Sequence, residues 1–241
     1  MFFREDENPR WVDLKFSVWL FALSLGLVGL TTQVRAQDIV TAVQFFNQVS
    51  ERYGAVKDYT ANIAVQQGRE RMSGVVYYRT PNLIRIDFSY PDHMVIDSDG
   101  HVLTVYLPRY AVTFTQALKK RSEAAVASMA SHQGLNLLRQ SYSIAYLNGP
   151  EPEALDEKDP EKVVKLRLSW REGTEAFKYL EIDVGQNGFI RRISGITAAS
   201  VSVQFDFTNI RTNLGISQNQ FAYDSPPTSN VINNFLFDPE K

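Results

Sequence analysis

Between Val75 and Phe114 the chain is patterned with a period of two, and that period limits what it can become. Ile84, Ile86 and Phe88 alternate with Arg85 and Asp87. Successive strand side chains point to opposite faces, so this run predicts a strand with one dry side and one wet side. Asp97-Ser98-Asp99-Gly100 supplies a turn, with Gly100 free to take positive φ, and Val102 to Leu107 reads as the returning strand. Pro81 and Pro91 bracket the first of these strands, where a residue without an N–H does least harm to a ladder. A chain of this kind makes a twisted antiparallel meander with an apolar concave face.

The same signal recurs on both sides. Tyr59 to Gln67 and Met72 to Arg79 read as strands joined across Gly68-Arg69-Glu70. Downstream, Ser141 to Leu147, Val163 to Trp170, Phe177 to Val184, Phe189 to Ile196, Ser200 to Ile210 and Gln218 to Tyr223 follow as strands. Gln186-Asn187-Gly188 is a hairpin turn, while the acidic stretch from Asn148 to Lys162 reads as a solvated loop. Three helices are expected. The first runs from Ile39 to Tyr53, capped by Asp38, with an apolar stripe of Ile39, Val43, Phe46, Val49 and Tyr53. The second spans Ala117 to Ala130, and after a break at Gly134 a third begins with Leu135, Leu137 and Leu138. Two short helices inside a β meander either fill an ordinary core or cover something.

These elements predict an α+β fold of about eleven strands with an N-terminal helix, in which the antiparallel meander curls into a barrel or half-barrel; with helices available as a lid, closure need not be complete. With 241 residues and 44% hydrophobic content, the chain can bury a substantial core. No Gly/Ser linker divides residues 37–241, which are read as one domain.

Residues 1–36 read as a signal peptide. Phe16 to Leu30 is an apolar run preceded by Arg4, Arg10 and Lys15, and Val34-Arg35-Ala36 offers a cleavage site. The alternative, an uncleaved membrane anchor, asks for about 20 apolar residues, more than this run offers. Either way the function is expected outside the cytoplasm.

Catalytic and metal-binding patterns are scarce. The sequence has no cysteine, no G-x-S-x-G, no Gly-rich phosphate loop and no H-E-x-x-H. His93, His101 and His132 lack ligand-like spacing, and Asp97 and Asp99 are explained by a local turn. A net charge of -2 argues against a nucleic-acid partner. The reading is a non-enzyme that needs no cofactor.

Tyr-x-x-Pro-Asn-Leu at Tyr78 to Leu83, the Pro91-Asp92 pair and Val-Ile-Asp-Ser-Asp-Gly at Val95 to Gly100 resemble the core signature of LolA-type outer-membrane lipoprotein carriers. The Ile182 to Gly188 hairpin and Phe221 to Pro227 are similar to later parts of that family's pattern. The resemblance implies an incomplete, unclosed antiparallel β-barrel of about eleven strands, with an N-terminal helix, a short helical lid and a hydrophobic cavity, in a monomeric periplasmic chaperone. Its partners would be acylated lipoproteins, an inner-membrane lipoprotein-releasing ABC exporter and an outer-membrane receptor. It places Ile84, Ile86, Phe88 and Ile96 on the concave face, and the helices between Ala117 and Arg139 in the lid. Family members carry an arginine directly before the motif proline that latches the lid; here Thr80 stands there, with Arg79 one residue earlier. Strand alternation turns Arg79 to the other face, leaving Thr80 a weaker latch and predicting a lid that opens easily.

The expected lipid wall therefore comprises Val76, Tyr78, Ile84, Ile86, Phe88, Met94 and Ile96 from the first strands. Leu103, Val105 and Phe114 follow, and Val126, Met129, Leu135 and Leu138 come from the lid. Such a surface attracts acyl chains without directional bonds, and methionine adds adaptable packing. A periplasmic lipid or glycolipid sensor or transporter on the same half-barrel is the alternative; a secreted hydrolase would need a nucleophile and base that the sequence does not display.

Overall fold

The computed structural model describes residues 40–118, 130–173 and 175–235. The expected signal peptide, Asp38 and Ile39, most of the expected second helix with Val126 and Met129, and the tail from Leu236 lie outside the described residues.

The first helix, α1, is Ala42–Gly54. It starts three residues after the expected point because Thr41 and Gln44 close a capping box. The Thr41 hydroxyl accepts from the Gln44 N–H at 3.2 Å, and the Gln44 side chain accepts from the Thr41 N–H at 2.8 Å. Phe46, Val49 and Tyr53 form the buried stripe, whereas Val43 is exposed.

Six strands follow: β1 (Asp58–Gln67), β2 (Glu70–Arg79), β3 (Leu83–Tyr90), β4 (Val95–Ser98), β5 (Val102–Leu107) and β6 (Val112–Ala117). After α2 (His132–Ser141) come β7 (Tyr142–Tyr146), β8 (Glu153–Ala154), β9 (Lys162–Trp170), β10 (Phe177–Gly185), β11 (Ile190–Thr197), β12 (Ser202–Thr212) and β13 (Asn230–Asn233). They form one sheet in the order β13-β6-β5-β4-β3-β2-β1-β12-β11-β10-β9-β7, with β8 beside β9. The long-range join is β12 against β1, in register from Tyr59 with Thr212 to Gln67 with Val203. The ends of this path, β13 and β7, do not pair with each other, so the barrel stays open.

The sheet has thirteen strands rather than about eleven. Val95–Ser98 forms its own short strand, and two others escape the sequence pattern: two-residue β8, and β13, whose pairing with β6 is parallel. In the other direction, Gln218 to Tyr223 is not a strand. Ser217 caps a single 3-10 turn, Gln218–Phe221, by accepting from the Asn219 N–H. This C-terminal segment lies across the outer face of the first strands. Asp58 accepts from the N–H groups of Leu214 and Gly215, Arg79 donates to the Ile216 carbonyl at 2.7 Å, and Arg85 donates to the Gln220 carbonyl. Phe221 is buried there.

Gly134 does not break α2. It occupies the first turn, where its N–H donates to the capping Ser131 hydroxyl. Leu135 and Leu138 are buried in the main apolar cluster with Phe46, Leu166, Leu168, Leu180 and Ile182. At the helix junction His132 Nδ1 lies 2.8 Å from the Ser50 carbonyl oxygen, so α2 is docked against the C-terminal half of α1.

Candidate functional site

Alternation along β2 to β6 and pairing across them put one row of side chains side by side: Val76, Ile86, Ile96, Val105 and Phe114 occupy directly opposed positions on successive strands. A second row crosses the join between the chain's two halves, from Met72 through Val65 and Phe205 to Ile193. Opposed residues on an antiparallel pair share a face. The two rows therefore make a continuous apolar inner wall.

That wall lines a half-open cavity of about 650 Å³. Val76, Ile84, Ile86, Phe88, Met94, Ile96, Leu103 and Val105, all expected from sequence, line it. Phe114 ends the first row and packs instead on Phe235, ring centroids 5.2 Å apart. Tyr78, Leu135 and Leu138 do not line the cavity; Tyr78 stacks on Tyr59 at 5.2 Å, and the two leucines are committed to the core. Val126 and Met129 lie outside the described residues.

Sequence reasoning missed the opposite wall: Tyr59, Ile63, Val65 and Met72 from β1 and β2, and Ile193, Val203, Phe205 and Phe207 from β11 and β12. Their alternation is as clear as that of β3. Without knowing that β12 pairs with β1, nothing in the sequence places them opposite Ile86.

One end of the cavity is closed by aromatic rings. Tyr59 lies against Tyr53 and Tyr78, and Tyr53 meets Phe189 edge-on at 5.4 Å. Each buried hydroxyl is used: Tyr59 donates to the Ala130 carbonyl at 2.9 Å, and Tyr53 accepts from the Ile190 N–H. Burial, with Tyr53 and Tyr78 nearby, holds the Tyr59 phenol well above its usual range, so it stays protonated and neutral. Gln67 stands on the wall at the far end of β1, with the thioethers of Met72 and Met94 also on the wall. Gln67 and Tyr59 apart, the lining side chains are apolar.

Of the proposed latch pair, Arg79 is turned outward to the C-terminal segment through its bond to Ile216. Thr80 donates its N–H to the Lys57 carbonyl and helps line a separate, more polar cleft of about 500 Å³ with Pro81, His132, Asn136 and Gln140. The Asp97 to Gly100 turn divides its roles differently from the sequence reading. Asp99 accepts from the N–H groups of His101 and Val102, and Ser98 from that of Gly100, whereas Asp97 is a buried residue of β4 beside Arg85. Among the described residues no group of three or more His, Asp or Glu is placed to hold a metal ion, and no helix is long and apolar enough to cross a membrane.

The family model of the outer membrane lipoprotein carrier protein LolA matches residues 62–224. No curated protein sequence matches the chain. Among solved structures, an uncharacterized conserved protein from Thermus thermophilus is similar at 12% identity, over 80% of this chain and 98% of that one, with a TM-score of 0.53. That likeness concerns the fold alone. Lipoprotein LppX of Mycobacterium tuberculosis is similar at 12% identity over 73% of this chain and 97% of its own, TM-score 0.45. A chain of the MucA/MucB complex of Pseudomonas aeruginosa is similar at 11% identity, covering 79% of this chain and 63% of that one, TM-score 0.48.

Proposed function

This chain belongs to the LolA family of outer membrane lipoprotein carrier proteins, and on that premise we propose that it is a periplasmic chaperone for acylated lipoproteins. It would shield their acyl chains between an inner-membrane lipoprotein-releasing ABC exporter and an outer-membrane receptor. The observation that carries the reading is the apolar cavity of about 650 Å³ on the inner face of the open barrel.

An acyl chain in water costs about 0.8 kcal/mol per methylene, so even partial cover stabilises a lipoprotein in transit by several kcal/mol. Cover of this kind is proportional to area and has no required geometry, which allows release to an acceptor that covers more. Every lining side chain bar Gln67 and Tyr59 is suited to that task, and no group on the wall is asked to react.

The test is a transfer assay. The purified protein is incubated with inner-membrane vesicles containing a triacylated lipoprotein and the releasing exporter, and the soluble fraction is analysed by mass spectrometry. A soluble complex with the lipoprotein is expected, and Ile86→Glu on the wall abolishes it. Recovery of free lipid or glycolipid with the protein, while the lipoprotein stays in the vesicles, would overturn the carrier reading in favour of a lipid sensor or transporter.

A further inference from the structure

The face of the sheet opposite the hollow carries a second construction. Pairing across five strands sets Arg192, Asp206, Ala64, Ser73 and Tyr90 directly opposite one another, from β11 through β12, β1 and β2 to β3. Gln204, Gln66 and Arg71 form the adjacent row on the same face. Ala64 and Ser73 are small, so the first row dips between the Arg192–Asp206 pair on one side and the Tyr90 ring on the other. Two open pockets of about 380 and 610 Å³ meet in that trough and share Ala64, Ser73 and Asp206.

Tyr90 stands on this side by exception. Phe88 lines the hollow, and strict alternation would turn Tyr90 the same way. An irregularity between Ser73 and Gly74 leaves Ser89 unopposed and brings Tyr90 opposite Ser73 on the outer face. An extra residue of this kind re-aims a side chain, and such irregularities recur beside functional sites. This one depends on Gly74, where a Cβ would collide with the Asp87 carbonyl oxygen and Phe88 Cα. The ring it presents is 58% exposed.

The polar groups around the trough are held in place without being exhausted. Asp206 accepts from Arg192 Nε at 2.6 Å and from Gln204 Nε2 at 2.7 Å, one bond on each oxygen, and each oxygen has a further lone pair. Gln66 donates to the Gly68 carbonyl, which leaves its amide oxygen to accept. Among the described residues Arg71 has no ion-pair partner. The trough thus offers carboxylate and amide acceptors beside guanidinium donors, with both signs of charge present. A ligand that suits both must donate and accept at once, as hydroxyl groups do. Its apolar side must suit a lone exposed ring, whose negative face attracts polarised C–H bonds. A pyranose has both properties. All five strands lie inside the sheet with their ladders occupied, so an extended peptide has no edge to join.

We infer that this outer trough is a binding site for a neutral saccharide, with a sugar ring stacked on Tyr90 and its hydroxyls shared between Asp206, Gln66 and Arg71. The site lies on the other face from the hollow, so it stands apart from the carrier reading.

A glycan array probed with the intact protein, followed by titration calorimetry of the glycans retained, tests the inference. Neutral oligosaccharides should be retained, one per protein. Tyr90→Ala should weaken them at least about tenfold, whereas Tyr90→Phe, which keeps the ring face, should stay within about twofold. Arg71→Gln should weaken them severalfold. Both positions are exposed, and circular dichroism melts of the variants should match the wild type. Retention of no glycan, or of polyanionic glycans alone with affinity lost in salt, overturns the inference. So does a neutral glycan that binds wild type and Tyr90→Ala equally, since its site is then elsewhere. Preferential capture of peptides from a library run in parallel would show a protein-docking surface in its place. None of these outcomes alters the expectation for lipoprotein transfer through the hollow.

Discussion

Two stretches of the same inner face, β9 to β11 and β2 to β5, carry the same alternation of apolar and polar residues and end in opposite states. Under α1 and α2, Leu166, Leu168, Leu180, Ile182 and Ile190 are wholly excluded from solvent. Across the sheet, Ile84, Ile86 and Phe88 retain a little exposure, while Met94, Ile96 and Val105 are only half-buried. Strand contacts are tight on both sides, since a methyl group on Gly195 would meet the Tyr179 carbonyl oxygen and one on Gly74 the Asp87 carbonyl oxygen; the difference lies in what fills the inner face. The β2 to β5 side keeps a hollow of about 650 Å³. One alternating pattern thus builds both a core, where α1 and α2 pack on it, and a container. The filled side supplies the stability that lets the hollow side remain unfilled.

The largest effect is expected where a substitution opens a void in the packed side. Leu180→Ala on β10 removes packing from a fully buried site and leaves a cavity, with an expected loss of about 2–5 kcal/mol. Urea denaturation measures it. Ile96→Ala on the hollow wall removes similar side-chain volume, but the space beside it is already empty, so the cavity cost is small and the expected loss is about 1 kcal/mol. Its larger effect should be on acyl-chain affinity, which falls severalfold. If both substitutions cost the same, the hollow is filled in solution and the contrast between the two stretches fails.

The outer face of the hollow side makes the next test. Strand alternation alone predicts that Arg85→Glu, pointing away from the cavity, is tolerated. The structure changes that expectation. Arg85 pairs with Asp87 at 2.8 Å, donates to the Gln220 carbonyl and lies over the Tyr223 ring. Arg85→Glu therefore loses a half-buried ion pair and the bond to the C-terminal segment and adds a carboxylate beside Asp87 and Asp97, for an expected loss of roughly 1–3 kcal/mol. Limited proteolysis should show earlier cleavage between Asn213 and Tyr223, with acyl-chain affinity falling less than in Ile86→Glu.

What the sequence makes legible follows from the range of each signal. The period of two names the strands and, from Val76 to Val105, the residues of one cavity wall, because alternation is local. The opposite wall is hidden because its position depends on β1 meeting β12 from the far end of the chain. Leu135 and Leu138 read as lid residues because an amphipathic helix carries no mark of which surface it will cover. Once α2 docks on α1 through Ser50 and His132, those leucines enter the core. The strap from Asn213 to Tyr223 reads in part as a strand for the same reason: its anchors, Asp58, Arg79 and Arg85, are remote in sequence.

A pH dependence separates the two faces of a single strand. Ile96 and Asp97 are neighbours on β4, one towards the hollow and the other buried on the strap side with its Oδ1 lacking a hydrogen-bond partner. Burial pushes the Asp97 carboxyl from 3.8 up to about 7; Arg85 opposes the rise, and Asp99 and Asp87 add to it. Tyr223 stands on the same side. With a folded value above the unfolded one, the native protein binds the extra proton between pH 4 and 7. The contribution of Asp97 to stability is thus complete below about pH 4 and lost as the pH rises through about 7. Asp97→Asn cannot ionise, so it should leave stability little changed at the acid end and raise it, with a higher Tm, at pH 8. Thermal melts at the two pH values measure this. A larger gain in acid than in base would show that Asp97 is ionised and paired in the fold, and the outer face of β4 would then be wetter than the hollow behind it.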